Sequence, residues 1–260
     1  MSSAFPKDRL ISAVFTRRPN RFVVEAVLPN GCSVQAHLAD PGRLRELLLP
    51  GAHLRLRVAN GSVRRTGYTV ALVRTAERPR VWVSVDTTLP NRLAEDLLAS
   101  GRVTGVGRGW TIRREVTRGP SRFDFLLRRK SGEEMLVEVK SVTLVVNGVA
   151  RFPDAPTARG ARHLKGLEEV VRSGGRALVL FVVQREDARS VAANPATDPA
   201  FAAALASARR AGVLVRAGRF RLSSTGEATH LGPLPVLMGK PRVEDREPST
   251  IRPCGRTQNA

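Results

Sequence analysis

The spacing of apolar residues changes near Asp86, and this change constrains the fold more than any other feature of the chain. Before it, apolar runs are short and strand-like, at residues 13–15, 22–24, 34–38, 53–58 and 69–73, with turn signals such as Asn60-Gly61 between them. One short helix is expected over residues 43–49, before Pro50-Gly51. Short strands with one helical turn predict a small β-barrel, and an OB-type barrel is one member of that class.

After residue 86 the pattern alternates between helices and strands. Asn91 is expected to cap a first helix that Gly101 ends, and Asp198-Pro199 to begin the last helix. Between them we predict strands over residues 110–116, 122–127 and 135–139, a helix over 159–172 and a strand over 177–183, with a final strand over 213–215. This order predicts a mixed α/β sheet flanked by helices.

These patterns divide the chain into three parts. We predict an all-β barrel domain over residues 1–86 and an α/β domain over residues 87–236. Residues 237–260 are rich in Pro, Arg, Ser and Thr, a composition typical of a disordered tail.

The balance of charge predicts a polyanionic partner. The chain has 43 basic and 23 acidic residues, a formal net charge of +20. Such an excess favours nucleic acid first and a membrane surface second, although a coding bias towards arginine is an alternative, since only five basic residues are lysine. No apolar run approaches the ~18 residues of a membrane span and no signal peptide is apparent, so we expect a cytoplasmic protein without a membrane partner.

One set of charged residues has the chemistry of a catalytic site. Asp124 lies in an apolar strand, and fourteen residues later Glu138 and Lys140 interrupt another one. Residues two apart on a strand share a face, so Glu138 and Lys140 project together, and a neighbouring strand can place Asp124 beside them. Two carboxylates suit Mg²⁺, and a lysine can orient water or stabilise a phosphoryl transition state. Glu115 on the preceding strand is the candidate third acid.

A weaker interpretation is a solvated strand edge with one surface salt bridge, worth about 0–1 kcal/mol. Two observations favour the catalytic interpretation. Val137, Val139 and Met135-Leu136 indicate a buried strand, where an unpaired charge is costly. A chain that nearly always uses arginine also has lysine at position 140.

Several blocks of sequence resemble the sugar fermentation stimulation protein A family. Beside Asp124, they are Glu-Val-Lys-Ser-Val-Thr-Leu at residues 138–144, Arg-Phe-Pro-Asp-Ala-Pro-Thr-Ala-Arg-Gly at 151–160 and His163-Leu164. Upstream, His37, Gly42, Pro50-Gly51 and residues 86–93 match the same family. The resemblance covers roughly residues 10 to 232.

The resemblance implies an N-terminal OB-like barrel and a C-terminal domain of the PD-(D/E)xK, restriction-endonuclease-like fold. It also implies non-sequence-specific DNA binding and a regulatory link to sugar metabolism. The barrel has few aromatic residues for base stacking, so duplex or branched DNA is the expected partner. In that fold Asp124 and Glu138 would hold Mg²⁺, and Lys140 would assist the attacking water. A non-catalytic DNA-binding regulator and an RNA-binding module remain alternatives. A homodimer is also open, since many nuclease-fold enzymes are dimers.

The residues expected to contact DNA are basic and lie near helix starts or on strands. A helix N-terminus presents backbone donors to phosphate, so residues 159–163 could bind phosphates there. The candidates are Arg43, Arg122, Arg159, Arg162 and His163.

Overall fold

The structure is a computed structural model that describes residues 2–3, 10–59 and 66–238. Its first part consists of strands only. They are β1 (Ser2–Ser3), β2 (Ile11–Asn20), β3 (Val23–Val27), β4 (Ser33–His37), β5 (His53–Val58), β6 (Tyr68–Arg74) and β7 (Trp82–Ser84).

Five of these strands close into a barrel, as the sequence predicts. The order is β4-β3-β2-β5-β6, and a parallel pairing of β4 with β6, at Ala36 opposite Tyr68, closes the ring. Alternate residues point inward because successive side chains of a strand face opposite sides. Phe15, Val24, Leu54 and Leu56 are therefore buried in the barrel core. The first domain is an OB-like barrel.

The helix expected over residues 43–49 is wrong, since the structure has only a turn there. Leu44 has a positive φ of 47°, which takes the backbone out of the right-handed helical region. The amide of Leu48 donates to the carbonyl of Leu44 at 2.9 Å, which closes the turn. Leu44 and Leu47 are fully buried, so packing of these two side chains into the barrel outweighs the helical propensity of the segment.

The second part contains three helices and ten strands. In chain order they are α1 (Leu89–Ala99), β8 (Thr111–Arg118), β9 (Ser121–Arg128), β10 (Glu134–Val142), β11 (Val145–Val146), β12 (Val149–Phe152), α2 (Ala158–Arg172), β13 (Arg176–Val183), β14 (Ser190–Ala193), α3 (Pro199–Arg210), β15 (Leu214–Leu222), β16 (Glu227–Pro233) and β17 (Val236–Leu237).

The predicted mixed sheet is confirmed. Its order is β15-β13-β10-β9-β8, with β10, β13 and β15 parallel and β8, β9 and β10 antiparallel. Leu178, Leu180 and Val182 of β13 pack in the core that contains α1 residues. Val179 and Phe181 pack in the core that contains α2 and α3 residues. This two-sided burial explains the continuous apolar run over residues 177–183.

Two expectations for this part need correction, and one sheet was not expected. Thr88, not Asn91, is the residue before α1, because Pro90 occupies the first turn, where its missing N–H costs nothing. The strand expected over residues 213–215 is neither so short nor the last, since β15 extends to Leu222 and β16 pairs with it. A second sheet of order β11-β12-β14-β17 is additional, and its two- to four-residue strands were too short to show a period.

The two halves share one hydrogen-bonded sheet. Trp82 of β7 pairs with Leu222 of β15, and β1 pairs with β16 at Ser2 and Ala228. Of the predicted tail, Leu237 belongs to β17, and residues 239–260 lie outside the described part of the chain. Within the described ranges, no helix has both the length and the apolar character needed to cross a membrane.

Asp198 provides a test of how the helices are anchored. Its Oδ1 accepts the amide of Phe201 in α3, and its Oδ2 accepts the amide of Thr157 before α2, both at 2.8 Å. We expect Asp198→Ala to lower the free energy of unfolding by about 1–2 kcal/mol, since a helix cap is lost. Urea unfolding at pH 7 measures this, with the exposed Asp96→Ala as control.

The free energy of unfolding that is lost in Asp198→Ala should depend on pH. Hydrogen bonds from Thr157 and Phe201 hold the pKa of Asp198 below its ordinary value of 3.8. A lowered folded-state pKa stabilises the fold above the unfolded-state pKa, and this contribution disappears as the pH falls through the folded-state pKa. The difference between wild type and Asp198→Ala should therefore shrink towards about pH 3. An unchanged difference there would contradict a charged cap.

Candidate functional site

The site is built where two neighbouring strands separate. The pairing of β9 with β10 stops at Phe125 opposite Val137. One residue further along β9, Asp124 turns its carboxylate to β10, where Oδ2 accepts the amide of Val139 at 2.7 Å. The side chain thus takes the place of a backbone acceptor, and the strand opening holds Asp124 in position.

Helix α1 fixes the other oxygen of Asp124. The amide nitrogen of Asn91 donates to Oδ1 of Asp124 at 2.9 Å. The sequence pattern made Asn91 a helix cap and so missed this contact. The available signal was the position of Asn91 within the family-like block of residues 86–93.

Glu138 and Lys140 project together from β10, as predicted, and both are buried, with 4% and 9% exposure. The Nζ of Lys140 donates to Oε1 of Glu138 at 2.7 Å. The Nδ1 of His163, in α2, lies 2.6 Å from the same oxygen. Oε2 of Glu138 is buried and has no hydrogen-bond partner among the described residues. One carboxylate oxygen is therefore doubly bound, and the other is free to accept.

The two carboxylates differ in electrostatics. Burial would raise the pKa of Glu138, but the hydrogen bond to His163 and the charge of Lys140 together hold it below the ordinary value. Burial raises the pKa of Asp124, and the negative charge of Glu138 raises it further, against the hydrogen bonds from Val139 and Asn91. Without a cation, Glu138 is therefore the carboxyl group that ionises more readily. Ionisation of Asp124 costs free energy that its hydrogen bonds do not fully offset.

The residues present fit a divalent cation. The free buried Oε2 of Glu138 and the repulsion between Glu138 and Asp124 are both relieved by positive charge between the carboxylates. No cluster of three or more acidic, histidine or cysteine groups suited to a metal occurs among the residues that the structure describes. Mg²⁺ suits such a small set, because it commonly takes one or two carboxylates and fills its other positions with water and phosphate oxygens.

Glu115, the expected third acid, is not brought into this cluster. Its backbone is left-handed, with φ of 54°, and its side chain is 67% exposed. The carboxylate lies 3.5 Å from the guanidinium of Arg122 on the solvent side of the sheet. The expectation depended on the regular alternation of side chains along a strand. The left-handed backbone at Glu115 breaks that alternation, so the carboxylate points away from the cluster.

The predicted DNA-contact residues fall into two groups. Arg43, Arg122, Arg159 and Arg162 are exposed. His163 is only 3% exposed, and its ring is hydrogen-bonded to Glu138. The expected contact of this ring with phosphate is therefore wrong. The physical reason is the helical period, which puts His163 and Leu164 on the buried side of α2.

The fold defines a class of protein in which an OB-like barrel precedes a mixed α/β domain of restriction-endonuclease-like architecture. Two family models match it: "SfsA N-terminal OB domain" over residues 16–85 and "Sugar fermentation stimulation protein RE domain" over residues 88–226. The chain therefore belongs to the sugar fermentation stimulation protein (SfsA) family.

Individual relatives support the same family assignment. A sugar fermentation stimulation protein homolog of Moorella thermoacetica is 48% identical over 212 residues, covering 81% of this chain and 89% of that protein. The homolog of Chloroflexus aurantiacus is 43% identical over 226 residues, covering 87% and 84%. The structure of Pyrococcus furiosus SfsA in complex with Ca²⁺ is 28% identical, has a TM-score of 0.80, and aligns over 91% of this chain and all of that one.

The raised pKa of Asp124 predicts a conflict between stability and function. A carboxyl group whose folded-state pKa is raised destabilises the fold above that pKa, and the penalty vanishes below the unfolded-state pKa. We expect Asp124→Asn, measured by urea unfolding in a chelator, to raise the free energy of unfolding at pH 7, with the side-chain amide of Asn91 turned so that its oxygen accepts from the new amide group. The gain should disappear near pH 4 or below. Asp96→Asn is the exposed control, and a loss of stability at both pH values would contradict the argument.

Proposed function

We propose that this protein is a cytoplasmic, non-sequence-specific DNA-binding protein that cleaves phosphodiester bonds with Mg²⁺ held by Asp124 and Glu138. The observation that carries the proposal is the free, buried Oε2 of Glu138 beside Asp124 and Lys140. The Ca²⁺ complex of the Pyrococcus furiosus relative supports a divalent-cation site, since Ca²⁺ and Mg²⁺ both prefer oxygen ligands.

A bound divalent cation supplies charge neutralisation at the phosphate and makes water a better nucleophile. The chain's own residues do the rest. Lys140 uses one of its three donors on Glu138, and the remaining donors can orient the attacking water or the phosphate oxygens. Burial and the hydrogen bond to Glu138 hold that charge in a fixed place, which removes the reorganisation that a mobile surface lysine would need.

Three other groups act as positioning residues. Asn91 and the amide of Val139 each hold one oxygen of Asp124, and His163 holds Glu138. These contacts leave the rotamers of both carboxylates fixed before a cation or DNA arrives. Hydrogen bonds to ligating carboxylates of this kind commonly change metal affinity or activity about 10- to 100-fold.

Charge supports DNA as the substrate. The net charge of +20 favours a polyanion, and exposed arginines occur on both domains, at Arg43 on the barrel and Arg122 beside the site. Arg159 also reaches the site, since its Nε lies 3.3 Å from Nε2 of His163. Arginine binds phosphate oxygens in a bidentate manner without reading bases, which agrees with non-sequence-specific contact.

The nuclease proposal is tested by incubating the purified protein with supercoiled, linear and branched DNA in Mg²⁺, Mn²⁺ or EDTA. We expect metal-dependent cleavage that falls at least about 100-fold in Asp124→Ala, Glu138→Ala and Lys140→Ala, because the first two variants lose a ligand of the cation and the third loses positive charge at the reacting phosphate. Lys130→Ala, on the exposed β9–β10 turn, is the matched lysine control and should keep full activity.

Salt-sensitive DNA binding without cleavage in every condition would overturn the catalytic half of the proposal. The remaining function would then be that of a DNA-binding regulator on a nuclease-like scaffold. Stronger binding of duplex RNA than of duplex DNA at the same salt concentration would contradict DNA as the substrate.

The arginine contacts predict a measurable salt dependence. Each phosphate contact that is lost should make the slope of log K against log salt shallower by about 0.9 for duplex DNA. We therefore expect Arg43→Ala and Arg122→Ala each to reduce the slope by about one, equally for different DNA sequences. Arg210→Ala, exposed at the end of α3, is the control. An unchanged slope in Arg43→Ala would exclude Arg43 from the DNA-binding surface.

A further inference from the structure

A cavity of about 560 Å³ lies beside α2. This open cavity is bordered by the β8–β9 hairpin, the start of β10, one side of α2 and the turn into β13, and none of Asp124, Glu138 and Lys140 lines it. Its volume falls within the ~300–1,000 Å³ typical of small-molecule sites.

One part of the cavity lining is apolar. Phe123 and Leu126 of β9 and Leu136 of β10 form it, and Val170 of α2 closes one side. Gly166 faces the ring of Phe123 so closely that a Cβ there would lie 3.1 Å from Cζ. Glycine thus lets the helix approach the ring at this point, and the surface beside it is suited to an aromatic or other flat ligand.

The rim of the cavity has an excess of positive charge. Of its four basic residues, Arg118 is paired with Glu134, and Arg176 with Glu133. Arg162 and Lys165 lie three residues apart on α2, are exposed, and form no salt bridge with any acid of the described residues. Glu134 and Glu169 are the acids that line the cavity, so the positive charges outnumber the negative ones.

We propose that this cavity binds a small aromatic anion, about the size of a mononucleotide. The ring of the ligand would pack on Phe123, Leu126 and Leu136, and its phosphate, sulfonate or carboxylate group would lie between Arg162 and Lys165. The site does not depend on nuclease chemistry. It does adjoin the carboxylate site, because the ring of Phe123 also packs on the ring of His163, with centroids 5.6 Å apart.

The proposal is tested with 1-anilinonaphthalene-8-sulfonate, whose fluorescence rises in apolar sites, titrated into the full chain in EDTA. We expect saturable binding of one equivalent. The double variant Arg162→Glu with Lys165→Glu should raise the Kd at least about tenfold, since attraction becomes repulsion. Arg210→Glu, which makes the same charge change outside the cavity, should leave the Kd unchanged.

A second arm separates the ring from the anion. Adenosine monophosphate should displace the probe, and adenosine should need a concentration at least about tenfold higher. Val170→Phe, which fills the apolar side of the cavity, should also weaken probe binding. Thermal unfolding of each variant checks that the fold is kept. If Val170→Phe does not fold, the double variant Arg162→Glu with Lys165→Glu alone tests the proposal.

Three results would overturn the proposal. One is the absence of saturable probe binding to the wild-type chain. Another is an equal Kd for the Arg162→Glu, Lys165→Glu variant and the Arg210→Glu control, which would locate the probe elsewhere. The third is displacement by adenosine as strong as by adenosine monophosphate, since it would remove any role for the basic rim.

Discussion

The carboxylate of Glu138 is the contact around which the second domain is arranged. One of its oxygens is shared by Lys140 on the same strand and His163 on helix α2, so it joins the central sheet to the helix layer at a buried point. A buried charge is tolerated only when it is paired and hydrogen-bonded, and removing one partner of such a pair commonly costs about 3–5 kcal/mol. A single carboxylate thereby fixes the direction of the lysine and adds a polar contact to α2, whose Leu164 and Leu167 pack in the apolar core.

Asp124 belongs to the same buried cluster, and its carboxylate takes the place of a backbone acceptor between β9 and β10. Where β9 and β10 separate, its side chain satisfies the amide of Val139, and Asn91 holds its other oxygen. The same separation opens the space in which two acids approach each other at an electrostatic cost. Electrostatic cost concentrated at one place, beside cores that are otherwise apolar, is typical of a functional site.

Period and turn signals were sufficient for the barrel, the mixed sheet and the shared face of Glu138 and Lys140. They failed where tertiary contacts decide the conformation. Leu44 takes a positive φ because the barrel buries it, and Asn91 lies inside a helix because Pro90 begins the first turn. His163 is predicted to contact phosphate because it follows Arg159 and Arg162 at the start of a helix, whereas the helical period turns it inward. A one-dimensional pattern contains no information on which acid such a side chain meets.

The pairing of β7 with β15 also bears on the order in which the chain can fold. Translation produces the barrel first, and a growing chain commonly folds its N-terminal domain before the rest exists. Trp82 is bonded across the sheet to Leu222, and β1 to a strand later still. Until the ribosome has released these late strands, the nascent barrel presents unpaired backbone, which other chains can recruit. The last strands of the second domain thus complete the protection of the first.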